Sequence, residues 1–391
     1  MKQFFKKTLK HTALALALLL LIGAFSSCNV SFIDQLVDFE GYYEEYKVEF
    51  DISFDSELYG SNDFYYRQLD SVGQMMYNAM VGAIESGKNY HTFKGVDAEK
   101  IEERVERVVY AIYSDRPDLF WLELGWYFAK REGVGENNDQ AMLVIGFCDF
   151  WNVNSANGMI YSFEEKVTEI VDEANKLSGD YEKIKYVHDL IVSNTEYNEE
   201  GMENNNAESN SSYTCLVENK AVCGGYSRAF QLLMNRLGID CISVFGRSLD
   251  EAHMWNCVWV EGEPYFMDLT WADHDNAIIY EWFCASFEDI KSSHFPNDDF
   301  SIPACTADKY NFYVYNGYIM NEYDRGKFND ILLKQKNNKA MFVKFSSVSE
   351  LRESIIDLIT RKKWQNLSAL ENKNKISYYA DEEMLIFIIY N

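Results

Sequence analysis

Cys223 is followed by Gly224 and Gly225 and opens a helical pattern carrying Ala229, Phe230, Leu233 and Leu237. A thiol at a helix N-terminus faces unpaired backbone N–H groups and the positive end of the helix dipole. Both favour the thiolate, which is the nucleophilic form. The two glycines leave space for a substrate backbone to come close. Taken alone, a cysteine in such a setting is more often a buried structural residue. A second stretch changes the balance: Glu251-Ala252-His253-Met254-Trp255-Asn256-Cys257-Val258-Trp259-Val260, then Glu261-Gly262, then Glu263 to Trp271. It reads as a β-hairpin with Glu261-Gly262 as its turn, so Val260 faces Glu263 and Asp268 falls opposite Trp255. Side chains alternate between faces, so Asp268 becomes the diagonal neighbour of His253, ~7–8 Å between backbones and within side-chain reach. A slip of one residue would put the two on opposite faces. A carboxylate behind an imidazole fixes its tautomer and stabilises the imidazolium. The imidazole can then take a proton from Cys223 and hand one to a leaving amine. Backbone N–H groups at the helix start would hold the oxyanion, with the second donor of that hole unassigned. Singly, each residue suits a structural role. Together, in the order Cys, His, Asp on suitable elements, they point to nucleophilic catalysis.

The elements that must place these residues follow from hydrophobic period. Beyond the Cys223 helix, expected over about 224–237, lie strands at Cys241–Gly246, Met254–Val260 and Tyr265–Leu269. Upstream, helices are expected at Phe163–Lys176, with Ser162 and Glu165 as a capping box, and at Tyr181–Ser193. The polar stretch 198–212 has no apolar period and reads as a mobile surface loop. In the first third, helices are expected near Phe64–Ile84 and Ala98–Tyr113. Strands are expected at Tyr46–Phe54, Phe120–Ala129 and Ala141–Phe150. The tail has apolar runs at Phe312–Tyr318, Ala340–Phe345 and Met384–Tyr390, with helices at Lys327–Gln335 and Val348–Arg361 between them. The expected organisation is a leader over 1–28, an α+β domain over 29–160, a chemistry-bearing core over 161–305 and a small α+β unit over 306–391.

Several of these residues form a familiar pattern. Cys223-Gly224-Gly225-Tyr226, Gly238-Ile239, Gly246, His253-Met254-Trp255-Asn256, Tyr265 and Asp268-Leu269-Thr270-Trp271 with Asp273 resemble the transglutaminase-like superfamily. The lead-in helix with Tyr186, His188 and Asp189, and more distantly Asp115-x-Pro117-x-x-Phe120-Trp121, extend the likeness. Met254 and Ser227 stand where the pattern usually has alanine. The resemblance implies an α+β, papain-like core, in which a helix-borne cysteine packs on an antiparallel sheet carrying histidine and aspartate. It implies Cys223 as nucleophile, His253 as general base and acid, and Asp268 as the orienting carboxylate. Gly224, Gly225, Tyr226, Trp255 and Trp271 are expected to shape the substrate groove. His188, His274 and His294 are expected to be structural or exposed.

The same triad serves hydrolysis, when water accepts the acyl group, and cross-linking, when an amine does. The expectation is a thiol enzyme that cleaves peptide or protein amides through a thioester. Amine transfer, or a non-catalytic surface binding module on the same fold, are the alternatives. No cofactor and no metal are expected, because no C-x-x-C, H-E-x-x-H or phosphate-binding glycine loop occurs. The net charge of −26 repels phosphate backbones, so nucleic acid is not an expected partner. Four lysines, an apolar run over 12–25 and Ser26-Ser27-Cys28 have the layout of an export signal, and Cys28 resembles the lipid-bearing cysteine of bacterial lipoproteins. The expected location is the extracytoplasmic face of a bacterial membrane, held through Cys28, or secretion where Cys28 carries no lipid. Of the eight cysteines, seven lie beyond Cys28, an odd number without the spacing of a disulfide framework.

Overall fold

The computed structural model describes residues 46–390, apart from 53, 55–61, 134, 136–137, 153–154, 205, 250, 274–276 and 372. The expected leader and Cys28 lie outside the described residues. Among those described, no helix is long and apolar enough to cross a membrane.

In the first third, Asp70 caps a helix over Ser71–Glu85 by accepting from Gly73 N–H. The helix expected to start at Phe64 is therefore preceded by a separate 3-10 turn over Tyr66–Gln68. The second expected helix also divides, into Ala98–Glu102 and Val105–Asp115. Strands β1 (Tyr90–Val96), β2 (Leu122–Arg131) and β3 (Asp139–Phe147) form a sheet of order β1-β3-β2. Of the expected strand over 46–54, the described residues form only an isolated bridge between Glu49 and Lys88.

The central part begins with a helix over Ala156–Ala174. Ser162 lies inside it and its hydroxyl donates to the Met159 carbonyl, so the expected capping box there is not formed. A helix over Asp180–Asn194 follows. Then β4 (Glu196–Tyr197) pairs in parallel with β5 (Lys220–Ala221). The stretch between them, expected to be a mobile loop, is folded. It forms a helix over Glu199–Glu203, a 3-10 turn over Ala207–Asn210 and a helix over Ser212–Leu216. Ser211 and Ser212 are buried and donate to the Phe120 and Pro117 carbonyls at 2.7 and 2.8 Å. The polar side chains here satisfy backbone groups, a use that composition alone does not reveal.

The Cys223–Arg236 helix packs on a sheet of β6 (Cys241–Ser248), β7 (Glu251–Val260), β8 (Glu263–Met267) and β9 (His294–Pro296), ordered β8-β7-β6-β9 with every pair antiparallel. Two bonds lock the helix to β7: Ser227 Oγ donates to Met254 O, and Asn256 Nδ2 donates to Ser227 O, both at 2.9 Å. On its far side Arg228 is fully buried. Its guanidinium lies 3.9 Å above the Tyr113 ring and donates to the Leu119 carbonyl at 3.0 Å. Gln231 donates to Ser114 O at 2.8 Å, again crossing to the first third.

The last part holds β10 (Ile319–Met320), β11 (Ala340–Phe345), β12 (Ser377–Asp381) and β13 (Ile386–Tyr390) in the order β10-β11-β13-β12. Helices over Arg325–Lys334 and Val348–Ile355 stand close to where their periods put them. The apolar run at 312–318 begins as a helix over Phe312–Asn316, ended by left-handed Gly317.

Candidate active site

Val222 is extended and its N–H donates to Ser209 O, which aims the chain into the helix so that Cys223 is the first helical residue. The helix start is jammed against the 207–212 segment. A Cβ on Gly225 would lie 2.6 Å from the Ala221 Cβ and about as close to the Ser209 and Ser211 carbonyls. One on Gly224 would lie 2.3 Å from Asn210 Oδ1. These glycines therefore admit neighbouring chain rather than substrate, which corrects the expected groove role. Tyr226 is buried too, its hydroxyl lying between Thr195 O at 2.9 Å and Asp273 Oδ2 at 2.8 Å. Trp255 is also buried, stacked beside His253. Of the five residues expected to shape the groove, only Trp271 lines the cleft in front of Cys223.

The hairpin has the register read from its turn: Val260 pairs with Glu263 and Asn256 with Met267. His253 and Asp268 thus reach the same face, and His253 Nε2 lies 2.6 Å from Asp268 Oδ2. With Nε2 committed there, Nδ1 is the ring atom left for the thiol. Cys223 is half-buried and shares the cleft with His253. Asp268 also caps the short helix over Leu269–Ala272, its Oδ1 accepting from Trp271 N–H at 3.0 Å.

A third group meets this carboxylate. His294, on β9, is buried and places Nε2 2.9 Å from Asp268 Oδ2, the oxygen that His253 already uses. This departs from the expectation of a histidine without a part in the site. The sheet explains it. Gly246 on β6 pairs with His253 on one side and Pro296 on the other, and Ser248 pairs with His294, so both histidines share one face. The three-residue strand β9 is too short to announce itself by alternation. His188 is buried on its helix with Nδ1 2.9 Å from Asp189 Oδ1, while His274 lies outside the described residues.

Burial pushes the His253 pKa down, but the Asp268 charge and hydrogen bond, helped by Cys223, outweigh it and raise it to about 10. Burial likewise works against an ionised Asp268, yet the two histidines hold its pKa well below the usual carboxylate range. At neutral pH the pair is therefore an imidazolium held on a carboxylate. Potential ligand atoms of His253, Asp268 and His294 lie within 4.8 Å of one another, a spacing a cation could use. Both imidazoles already direct Nε2 at one oxygen, so the geometry is that of a hydrogen-bonded set, each contact needing a proton that a metal would displace.

The cleft measures about 1110 Å³ and is walled by β4, the Glu199–Glu203 helix, the β6–β7 end and Trp271. Its acids are Glu196, Glu199, Glu200, Glu251 and Asp273, against Lys220 and the His253 imidazolium among the described lining residues. Asn210 lines it beside Cys223. It belongs to the segment taken from sequence for a mobile loop.

Residues 168–275 match the family model of the transglutaminase-like superfamily. The chain carries a transglutaminase-like core. Its α+β architecture is papain-like, with the cysteine-bearing helix laid on the antiparallel sheet that carries histidine and aspartate. Kyphoscoliosis peptidase of Mus musculus is 25% identical over 119 residues, which cover 27% of this chain and 18% of that protein. A crystal structure of a TGase is 16% identical with a TM-score of 0.28, covering 57% of this chain and 59% of that one. A candidate cysteine protease from Cytophaga hutchinsonii is 17% identical with a TM-score of 0.24, covering 37% and 62%. The chain thus spans under a fifth of the mouse relative and about three fifths of each of these solved chains.

Proposed function

We propose that the protein is a thiol hydrolase of peptide or protein amides. The observation that carries this reading is Cys223 at a helix start, sharing its cleft with His253, whose far nitrogen is held at 2.6 Å by buried Asp268. The Cys223 sulfur attacks the amide carbon, and the proton held on His253 Nδ1 passes to the nitrogen as the C–N bond breaks. Water then attacks the thioester, giving its proton back to His253, and the sulfur leaves. The Cys223 N–H at the helix start, ahead of the Gly225 and Tyr226 N–H groups that bond Val222 O, faces the developing oxyanion, and the Asn210 amide supplies the second donor. Hydrolysis is favoured over amine transfer because the cleft is wide and rimmed by exposed Glu199, Glu200 and Met202, which does not exclude water. The acid-rich lining favours segments carrying lysine or arginine. In this reading the protein works at the outer face of a bacterial membrane, tethered through a lipid on Cys28.

The test is a matched set of quenched fluorescent peptides, lysine-rich and glutamate-rich, with an amine probe as competing acceptor, run on wild type and Cys223→Ala. Cleavage of the basic peptides that disappears in the variant supports the proposal. Incorporation of the amine in place of cleavage would reassign the reaction to transfer. Binding of peptide by both proteins without turnover would make the chain a binding module.

A further inference from the structure

We propose that His294 is a positioning residue for the reaction: it pins the carboxylate of Asp268 so that His253 is held in line with Cys223. The proposal rests on the thiol-enzyme reading given above. The juxtaposition is a carboxylate shared between two imidazoles. Oδ2 of Asp268 lies 2.6 Å from His253 Nε2 and 2.9 Å from His294 Nε2, while Oδ1 takes the Trp271 N–H at 3.0 Å. Without His294, rotation of the carboxylate about its Cβ–Cγ bond is opposed by one backbone bond and by the histidine it is meant to orient. With His294, the oxygen facing His253 is fixed from an independent strand.

His294 is itself held on both sides. Its Nδ1 lies 2.8 Å from Ser293 Oγ, so its hydrogen bonds constrain both ring nitrogens. Its ring stands edge-on to Trp255 and tilted on Trp271, each at a centroid distance of 5.0 Å, and 5.7 Å from His253. Gly246 keeps the corner open. A Cβ there would lie 2.7 Å from Trp255 Cη2 and 2.2 Å from Phe295 O, displacing either the indole that stacks on His253 or the strand that carries His294. A buried histidine that only filled space would need neither the shared oxygen nor the hydroxyl on its other nitrogen. Buried polar groups left without such partners are costly, so the arrangement keeps itself in one geometry.

The experiment is the rate of iodoacetamide alkylation at Cys223 between pH 5 and 10, read by mass spectrometry, with the thermal midpoint recorded for every protein. The proteins are wild type, His294→Gln, His294→Leu, Ser293→Ala and His253→Ala. Glutamine keeps an N–H donor, and leucine matches the volume without one. The expected result is a loss of ~10-fold or more near neutral pH in His294→Leu, a shifted profile, and rescue to within ~3-fold in His294→Gln. Ser293→Ala, which leaves the imidazole in place and loosens it, should fall between wild type and leucine. Two results overturn the proposal: leucine with the wild-type profile, or glutamine as defective as leucine at an unchanged midpoint. Should leucine prevent folding, a wild-type profile in Ser293→Ala together with a defective His294→Gln overturns it equally. Failure of the underlying reading looks different: wild-type Cys223 would then react no faster than in His253→Ala.

Discussion

Replacing Asp268 by asparagine removes the charge and nearly preserves the shape. The carboxylate accepts from His253 and His294 on one oxygen and from Trp271 N–H on the other. An asparagine carbonyl can keep the Trp271 N–H, which puts the amide NH2 where two imidazole N–H groups now point. Donors cannot face donors, so His253 must carry its proton on Nδ1, the atom that should receive one from the thiol. The Asp268 charge and hydrogen bond, the larger part of what raised the His253 pKa to about 10, are then gone, and burial, which lowers it, remains. The His253 titration midpoint should fall to the ordinary ~6.5 or below. That change of ~3.5 units corresponds to on the order of 5 kcal/mol, near the top of the ~3–5 kcal/mol seen when one member of a buried charge pair is removed. The sign sets the pH window. Because the folded-state pKa lies above the unfolded one, the contribution of His253 is complete below ~6.5 and is lost as pH rises through about 10. The stability difference between wild type and Asp268→Asn should therefore be large at pH 7 and shrink toward pH 10. Protein labelled with 13C-histidine, titrated by NMR and unfolded in urea at both pH values, measures both quantities. A wild-type midpoint near ~6.5, or a variant midpoint still above ~9, would refute the reasoning.

Three further outcomes are expected. Asn210→Ala should lower amide turnover by ~10²–10³-fold, the usual loss for one oxyanion donor; alkylation of Cys223, which forms no oxyanion, should stay unchanged. Comparing the two rates on one preparation checks this. Cys257 and Cys305 are buried with their sulfurs 3.4 Å apart. Oxidised glutathione should join them and raise stability by ~4 kcal/mol for a loop of about 48 residues, whereas Cys215, buried against Thr195, should not join Cys223. Non-reducing peptide mapping and urea unfolding read both. Gly246→Ala should cost ~1–3 kcal/mol through overpacking against Phe295 O and Trp255. It should slow Cys223 alkylation as well, because the displaced strand carries His294; chemical unfolding and the alkylation rate test the two halves.

Much of the site was legible because its information is local. The Glu261-Gly262 turn sets the hairpin register, and the register carries Asp268 to His253 without knowledge of the rest of the chain. A cysteine before a helical period needs only that period to be placed at a helix start. The remainder depends on long-range contacts. His294 comes 26 residues after Asp268 and reaches it through a three-residue strand. Asn210 lies in a polar segment whose order comes from serine bonds to carbonyls some 90 residues away, not from apolar periodicity. Gly224 and Gly225 illustrate the opposite error: a glycine reveals that something approaches closely, but not whether it is a substrate or the chain itself. The two divided helices of the first third were missed because the apolar stripe continues across Asp70 and Arg104, where the hydrogen-bonded backbone does not.

The buried guanidinium of Arg228 bears on how portable the catalytic region is. The matched segment 168–275 looks like a cassette that could be lifted into another protein, yet its cysteine helix has a permanent cation on the inner side. That cation is accommodated by the Leu119 carbonyl and the Tyr113 ring, both far outside the segment. Cut away from them, the charge would face either an apolar void or water let into the core, at several kcal/mol in either case. Chains that share this cysteine helix and lack the earlier segment should therefore have an apolar residue at the position of Arg228. A shortened form of this protein will need the same substitution, or must begin early enough to keep the partners of Arg228 from Tyr113 to Leu119.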